Sequence, residues 1–177
     1  MRIISGSLKG RKLASPDWVG LRPTSERLRE TIFDIIGESV TGTRVLDAFA
    51  GTGALGFEAL SRGAKNVVFI DNDERAISLI TKTSERLSAT KECQVILGGV
   101  PEEICAGLVV GHFDFIFCDP PYRHGQIDEV LNGIKSKLAL NGVIVLERSK
   151  RVQEMNVPGL NLYRTVCAGD SRLDMYR

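Results

Sequence analysis

The feature that most constrains this chain is an alternation between short, almost continuously apolar runs and longer segments whose apolar residues recur three and four apart. The apolar runs are Val45-Leu46, Val67 to Ile70, Val95 to Leu97, Phe113 to Cys118 and Val143 to Leu146. Between them lie segments of helical period: Leu55, Ala59 and Leu60, stopped by Gly63; Ala76, Ile77, Ile80 and Leu87; and Ile127, Val130, Leu131, Ile134 and Leu138. A strand without polar alternation must be covered on both faces, and a parallel pair needs a long crossover, usually a helix. The pattern therefore predicts an α/β fold, a mostly parallel sheet with helices on both faces. Upstream, Thr24-Ser25-Glu26 offers hydroxyl caps and an acid for a first helical turn; Leu28, Ile32, Ile35 and Ile36 continue the period and Gly37 ends it. At the other end, Leu160 to Val166 and Leu173 to Tyr176 are strand-like runs joined through Gly169-Asp170 with no helix between them, which predicts antiparallel pairing at one edge. There is no internal repeat and no low-complexity segment.

The 177 residues, 43% of them apolar, suffice for one domain around one core. We divide the chain into a basic arm, residues 1–22, and a main domain, residues 23–177. Acids and bases nearly balance overall, yet residues 1–30 carry seven Lys or Arg against three acids, leaving a net charge of −3 for the rest. Arg2, Lys9, Arg11 and Lys12 are thus candidates for a polyanion contact, although a basic tail can also simply be solvated. The four cysteines form no C-x-x-C pair and the two histidines sit at no ligand spacing from them, so reduced thiols and no metal are expected. The start, Met1-Arg2-Ile3-Ile4-Ser5-Gly6, does not resemble a signal peptide, and no apolar run approaches membrane-spanning length; a cytoplasmic location is expected.

Two loops carry chemistry. Gly51-Thr52-Gly53-Ala54-Leu55-Gly56 fits G-x-G-x-x-G, with Asp71 at the end of the following strand, where an acid can bind ribose hydroxyls and Asn72 follows it. On that pattern alone the ligand could be NAD, the turn could be a tight connection without a ligand, and Asp71 could be a helix cap. Asp47 weighs against a dinucleotide: it sits four residues before Gly51, where a pyrophosphate would meet a carboxylate at a cost of several kcal/mol. S-adenosylmethionine brings a sulfonium, an ammonium and a ribose without phosphate, which suits Asp47. The second loop, Asp119-Pro120-Pro121-Tyr122, follows a buried strand directly. Two prolines fix the backbone where the sheet ends. If the Asp119 carboxylate and the Pro120 carbonyl each accept one N–H of an exocyclic base amine, the nitrogen lone pair is freed to face a methyl donor, and Tyr122 can stack on the base. A plain Pro-Pro turn with a buried tyrosine is the alternative.

Asp47-Ala48-Phe49-Ala50-Gly51-Thr52-Gly53 and Asp119-Pro120-Pro121-Tyr122 resemble the cofactor and catalytic motifs of amino-group nucleic-acid methyltransferases. Met1 to Gly6 with Lys9-Gly10-Arg11-Lys12-Leu13, Arg22-Pro23-Thr24, Arg27 to Glu30, Glu58 to Ala64 and Gly169-Asp170 to Tyr176-Arg177 are similar to the bacterial 16S ribosomal RNA guanine-N2 methyltransferases, the RsmD family. The resemblance spans nearly the whole chain. It implies a Rossmann-like seven-stranded methyltransferase sheet with the last strand antiparallel, and S-adenosylmethionine held by Asp47, Phe49, Ala50, Gly51, Thr52, Gly53, Asp71, Asn72, Gly99 and Val100. It also implies a guanine of 16S rRNA as substrate, within a small subunit or its assembly intermediate, with no membrane and no obligate protein partner. Arg22 and Thr24 would close over cofactor or RNA. The sequence departs from the family at Gly98-Gly99-Val100, where members often carry Gly-Asp-Ala, and at Asp71, where Glu is common. Three other readings stay open: a DNA adenine-N6 or cytosine-N4 methyltransferase, which has the same second motif; an NAD-dependent oxidoreductase; and a binding module without catalysis. The absence of an obvious target-recognition domain argues against the first.

Overall fold

The protein was analysed as a computed structural model, which describes residues 1–16, 24–120, 127–151 and 157–177. Arg22, Pro121 and Tyr122 fall outside the described residues. The first helix, α1 (Glu26–Ile36), starts where Ser25 Oγ accepts the Leu28 N–H, as its hydroxyl and position require, and stops at Gly37, whose φ of 53° few other residues adopt. There follow β1 (Arg44–Ala48), α2 (Ala54–Ser61), β2 (Asn66–Asp71), α3 (Glu74–Arg86), β3 (Cys93–Leu97), α4 (Glu102–Cys105), β4 (Phe113–Cys118), α5 (Ile127–Ile134), β5 (Leu138–Ser149), β6 (Leu162–Ala168) and β7 (Ser171–Tyr176).

The seven strands form one sheet in the order β3-β2-β1-β4-β5-β7-β6. Strands β1 to β5 are mutually parallel, and β7 runs antiparallel to both neighbours, β5 and β6. The expected antiparallel edge is present, with β7 inserted between β5 and an edge strand β6. Successive strand residues alternate between two cores. Val45, Val67, Phe69, Phe115, Phe117, Val143 and Val145 face α1, α2 and α3; Leu46, Val68, Ile70, Ile116, Ile144 and Leu146 face α4 and α5. Both faces are apolar, which is why the strands read as continuous runs.

Some boundaries differ from the sequence expectation. Leu138 opens β5 instead of closing α5: a 3-10 turn over Lys135–Lys137 ends the helical path, and the half-buried Leu138 packs against the same core that α5 covers. The one-turn helix α4 lacks the apolar period that would announce it. β5 is far longer than its apolar portion, because its start is partly exposed and its end is lined by Glu147 and Arg148, both paired with β7. Among the described residues no helix is long and apolar enough to cross a membrane.

Candidate functional site

Strand order reverses between β1 and β4, the place where open parallel sheets bind ligands beyond their carboxyl ends. The two loops singled out in the sequence leave the sheet there as neighbours, since Ala48 at the end of β1 is registered with Cys118 at the end of β4.

At the β1 end, Asp47 is 3% exposed, on the face that α2 covers, and its Oδ2 accepts the Gly56 N–H at 2.8 Å. Burial pushes its carboxyl up to about 8; the Gly56 hydrogen bond opposes that shift and the charge of Asp71 adds to it. The turn that follows is sharply coiled. Phe49 has φ 63°, a conformation costly for a residue with a Cβ, and Gly51 and Gly53 have φ 55° and 71°. A Cβ on Gly56 would lie 2.3 Å from the Phe69 ring, so this glycine lets α2 approach β2. Thr52 and Ala50 are buried within the turn.

Asp71, at the end of β2, closes the turn from the side. Its Oδ2 accepts the Gly51 N–H at 2.7 Å and its Oδ1 the Asp73 N–H at 2.9 Å. The cap of α3 is Asp73, which accepts from the Arg75 N–H. Gly98 donates its N–H to the Asp71 carbonyl at 3.0 Å, which brings the end of β3 to the same rim; Asn72 is exposed, Gly99 half-buried and Val100 buried.

At the β4 end, Pro120 is buried and Asp119 half-buried. Thr24 Oγ1, just before α1, donates to Asp119 Oδ2 at 3.3 Å. Desolvation, then the charge and contact of the Glu147 carboxyl, hold Asp119 well above the usual carboxylate range; the Thr24 hydrogen bond opposes this and Asp47 adds to it. The structure thus gathers Asp47, the glycine turn, Asp71, Thr24, Asp119 and Pro120 along one rim.

Residues 1–177 match the family model described as Conserved hypothetical protein 95. The chain belongs to this family, the RsmD family. The protein named Ribosomal RNA small subunit methyltransferase D from Escherichia coli strain K12 is 34% identical over 100% of this chain and 89% of its own length. Its namesake from Haemophilus influenzae is 35% identical over 85% of this chain and 79% of its own. A solved structure of yhhF from Escherichia coli superposes with a TM-score of 0.86 at 34% identity, covering 99% of this chain and 96% of that one.

In this RsmD-family chain the amino-terminal arm is built onto α2. The Met1 to Leu13 stretch folds back on itself, with Arg2 and Lys12 bridged, Ile3 N–H bonded to the Arg11 carbonyl and Leu13 N–H to the Met1 carbonyl. Ile3 and Leu13 join the core under α1 and α2. Glu58, 0% exposed, anchors the arm: Oε2 accepts the Ile4 N–H at 2.8 Å, Oε1 the Ser5 N–H at 3.0 Å, and Arg62 and Arg29 neutralise it. Gly6 permits the contact, since a Cβ there would lie 1.8 Å from the Ser61 carbonyl oxygen. Arg2, Lys9, Arg11 and Lys12 are left exposed on the outer side.

Sequence reasoning missed Glu147, Glu58, Glu102 and Glu103. Glu147 had the same signal as Asp47, Asp71 and Asp119, one acid closing an apolar strand. Glu58 is the single charge in the otherwise uncharged α2. Glu102 and Glu103 follow Gly98-Gly99-Val100 and fold back on it: a Cβ on Gly99 would lie 2.6 Å from Glu102 Oε2, and one on Gly98 2.3 Å from Glu103 Oε1. Carboxylates thus stand beside the segment where the sequence lacks the family's aspartate.

Proposed function

We propose that this protein transfers a methyl group from S-adenosylmethionine to the exocyclic N2 amine of a guanine in 16S ribosomal RNA, in the cytoplasm, on a small subunit or its assembly intermediate. The observation that carries the reading is the adjacency of two unlike carboxyls at the sheet's reversal: a deeply buried Asp47 beside the glycine turn, and a half-buried Asp119 ahead of Pro120. The family membership and the names of its relatives support the same reaction and the same class of RNA.

The residues fit the proposed cofactor. Among the described residues Asp47 has one backbone N–H donor and no cationic side chain in contact, so a ligand bearing positive charge would supply the counter-charge that burial withholds. Asp47, Phe49, Ala50, Gly51, Thr52 and Gly53 would hold its charged end, Asp71 and Asn72 its ribose, and Gly99 and Val100 its base, with Glu102 or Glu103 available to an adenine amine. S-adenosylmethionine, when bound, supplies an electrophilic methyl on a sulfonium.

The chain's own residues prepare the acceptor. Asp119 and the Pro120 carbonyl each accept one N–H of the amine, which leaves the nitrogen lone pair directed away from them. As positive charge grows on nitrogen these two acceptors stabilise it, and the departing proton passes to an Asp119 oxygen while its bond pair stays on nitrogen. Tyr122 stacks the base, which must be turned out of any helix to reach the rim. Arg2, Lys9, Arg11 and Lys12, with Arg22, give the backbone of the RNA a basic surface.

The test is transfer of labelled methyl to unmodified small-subunit RNA and, in parallel, to duplex DNA, by wild type and Asp119→Ala. RNA should be the acceptor and the variant should be inactive; preference for duplex DNA would favour the adenine-N6 or cytosine-N4 alternative. Melting shifts separate the cofactor readings, because S-adenosylhomocysteine should raise the midpoint and NADH should not. Replacing Arg2, Lys9, Arg11 and Lys12 with Gln should flatten the salt dependence of RNA binding, the log–log slope falling by about 0.7–0.9 for each phosphate no longer neutralised.

A further inference from the structure

Glu147 is a buried acid next to the site that this chemistry leaves unused. Cys118 and Leu146 are registered partners on β4 and β5, so Asp119 and Glu147 are the next pair along two parallel strands. Glu147 is 7% exposed and lies on the same face as Val145, the face that α1 covers. Its Oε1 accepts from Ser171 Oγ, on β7, at 2.7 Å. Its Oε2 is buried and meets no hydrogen-bond donor among the described residues. The Asp119 carboxyl, next to Glu147 across the two strands, interacts with it electrostatically, and its own Oδ2 takes the Thr24 hydroxyl. Two ionised carboxylates in such contact repel, and neither can donate to the other until one carries a proton.

We propose that Glu147 is a positioning residue for Asp119: the two carboxyls share one proton, held between Glu147 Oε2 and the Asp119 carboxyl, which fixes Asp119 in place as the acceptor for the substrate amine. In that state every oxygen of the pair is used. Ser171 donates to Glu147 Oε1, the shared proton bridges Glu147 Oε2 and Asp119, and the pair keeps one negative charge, with the remaining Asp119 lone pairs free for the N–H of the base. The charged and titratable groups near the pair reinforce it. Asp47, on β1, opposes a second negative charge. Arg148 on β5 and Arg172 on β7, the cations nearest along the strands, both pair with Asp174, at 2.5 and 2.7 Å. The role assigned to Glu147 rests on Asp119 being the amine acceptor, whereas the shared proton can be tested without turnover.

The experiment uses the full chain with carbonyl-13C-labelled Asp and Glu, free of ligand, as wild type, Glu147→Gln, Glu147→Leu and, to assign the signal, Asp119→Asn. The wild-type pair should release its shared proton well above the usual carboxylate range, and in Glu147→Gln the Asp119 midpoint should fall, since the second acid is gone while the amide still donates. An Asp119 midpoint that does not move in Glu147→Gln overturns the proposal. Turnover supplies the second arm. Glu147→Leu should lower kcat by about 10- to 100-fold, the cost of an unmade hydrogen bond to a charged group, and Glu147→Gln should recover most of that loss. The Kd for S-adenosylmethionine, and a melting shift with S-adenosylhomocysteine, should stay near wild type in both and certify folding. Wild-type kcat in a folded Glu147→Leu also overturns the proposal. Full activity in Asp119→Asn, with the titration shift intact, would instead refute the acceptor role of Asp119 and leave the paired carboxyls standing.

Discussion

The central strands β1 and β4 are both apolar and both lead to an acid at their carboxyl ends, yet the two ends handle charge differently. Asp47 is sealed under α2, where among the described residues its Oδ2 takes one backbone donor, the Gly56 N–H. Asp119 is half-buried, held by Thr24 and set beside a second carboxyl, Glu147, by the pairing of β4 with β5. On the function proposed above, the first arrangement suits a cation and the second a shared proton. Glycine and positive φ create the β1 turn, whereas the end of β4 leads into a proline, Pro120, whose ring fixes φ.

The comparison is broken most severely if the two acids prove interchangeable. Asp119→Ala should lower kcat by about 10²- to 10³-fold, the scale set by removing one group that stabilises developing charge, with S-adenosylmethionine affinity almost unchanged. Asp47→Asn should do the reverse, weakening S-adenosylmethionine by about 10- to 100-fold as measured calorimetrically. Loss of cofactor binding in the first variant, or its retention in the second, would erase the division of labour.

A smaller effect sharpens it. The folded-state value of Asp47, about 8, lies above that of an unfolded aspartate, so between roughly pH 4 and 8 the folded chain binds more protons than the unfolded one. Its contribution to stability is therefore greatest at the acid end of that window and is lost as pH rises towards 8. Denaturation midpoints of the ligand-free protein should show this slope, and Asp47→Asn should flatten it. A cationic ligand favours the ionised form, so S-adenosylmethionine binding near pH 7 should release protons, detectable by calorimetry in buffers of different ionisation enthalpy.

The smallest expected effect is at the β4 end. Thr24→Val removes a neutral hydrogen bond to Asp119 and should lower kcat by about 2- to 10-fold without changing cofactor affinity.

Much of this was legible in the amino-acid order because the cause was local. Continuous apolar runs separated by helical periods dictate a doubly covered parallel sheet, and the helix-free link through Gly169-Asp170 dictates the antiparallel β6–β7 pair. Ser25 and Gly37 mark α1 by their own chemistry. The acids at strand ends were visible because charge is out of place there. Glu147 escaped notice because its meaning depends on register: only the pairing of β4 with β5 sets it beside Asp119, and only β7 brings Ser171. Glu58 escaped for a similar reason, since the backbone donors it satisfies come from residues 53 and 54 positions away. The arm's basic residues could be seen, but its anchoring by Ile3, Leu13 and Gly6 could not, because each of those contacts is made with a distant helix.

The most direct test of the central claim is the identity of the product. Small subunits lacking the modification are incubated with the protein and S-adenosylmethionine, and the RNA is digested to nucleosides for mass spectrometry. The account predicts one new N2-methylguanosine at a single site, and none when Asp119→Ala replaces wild type. Methyl groups on adenine N6 or cytosine N4, or N2-methylguanosine formed equally by the variant, would contradict it.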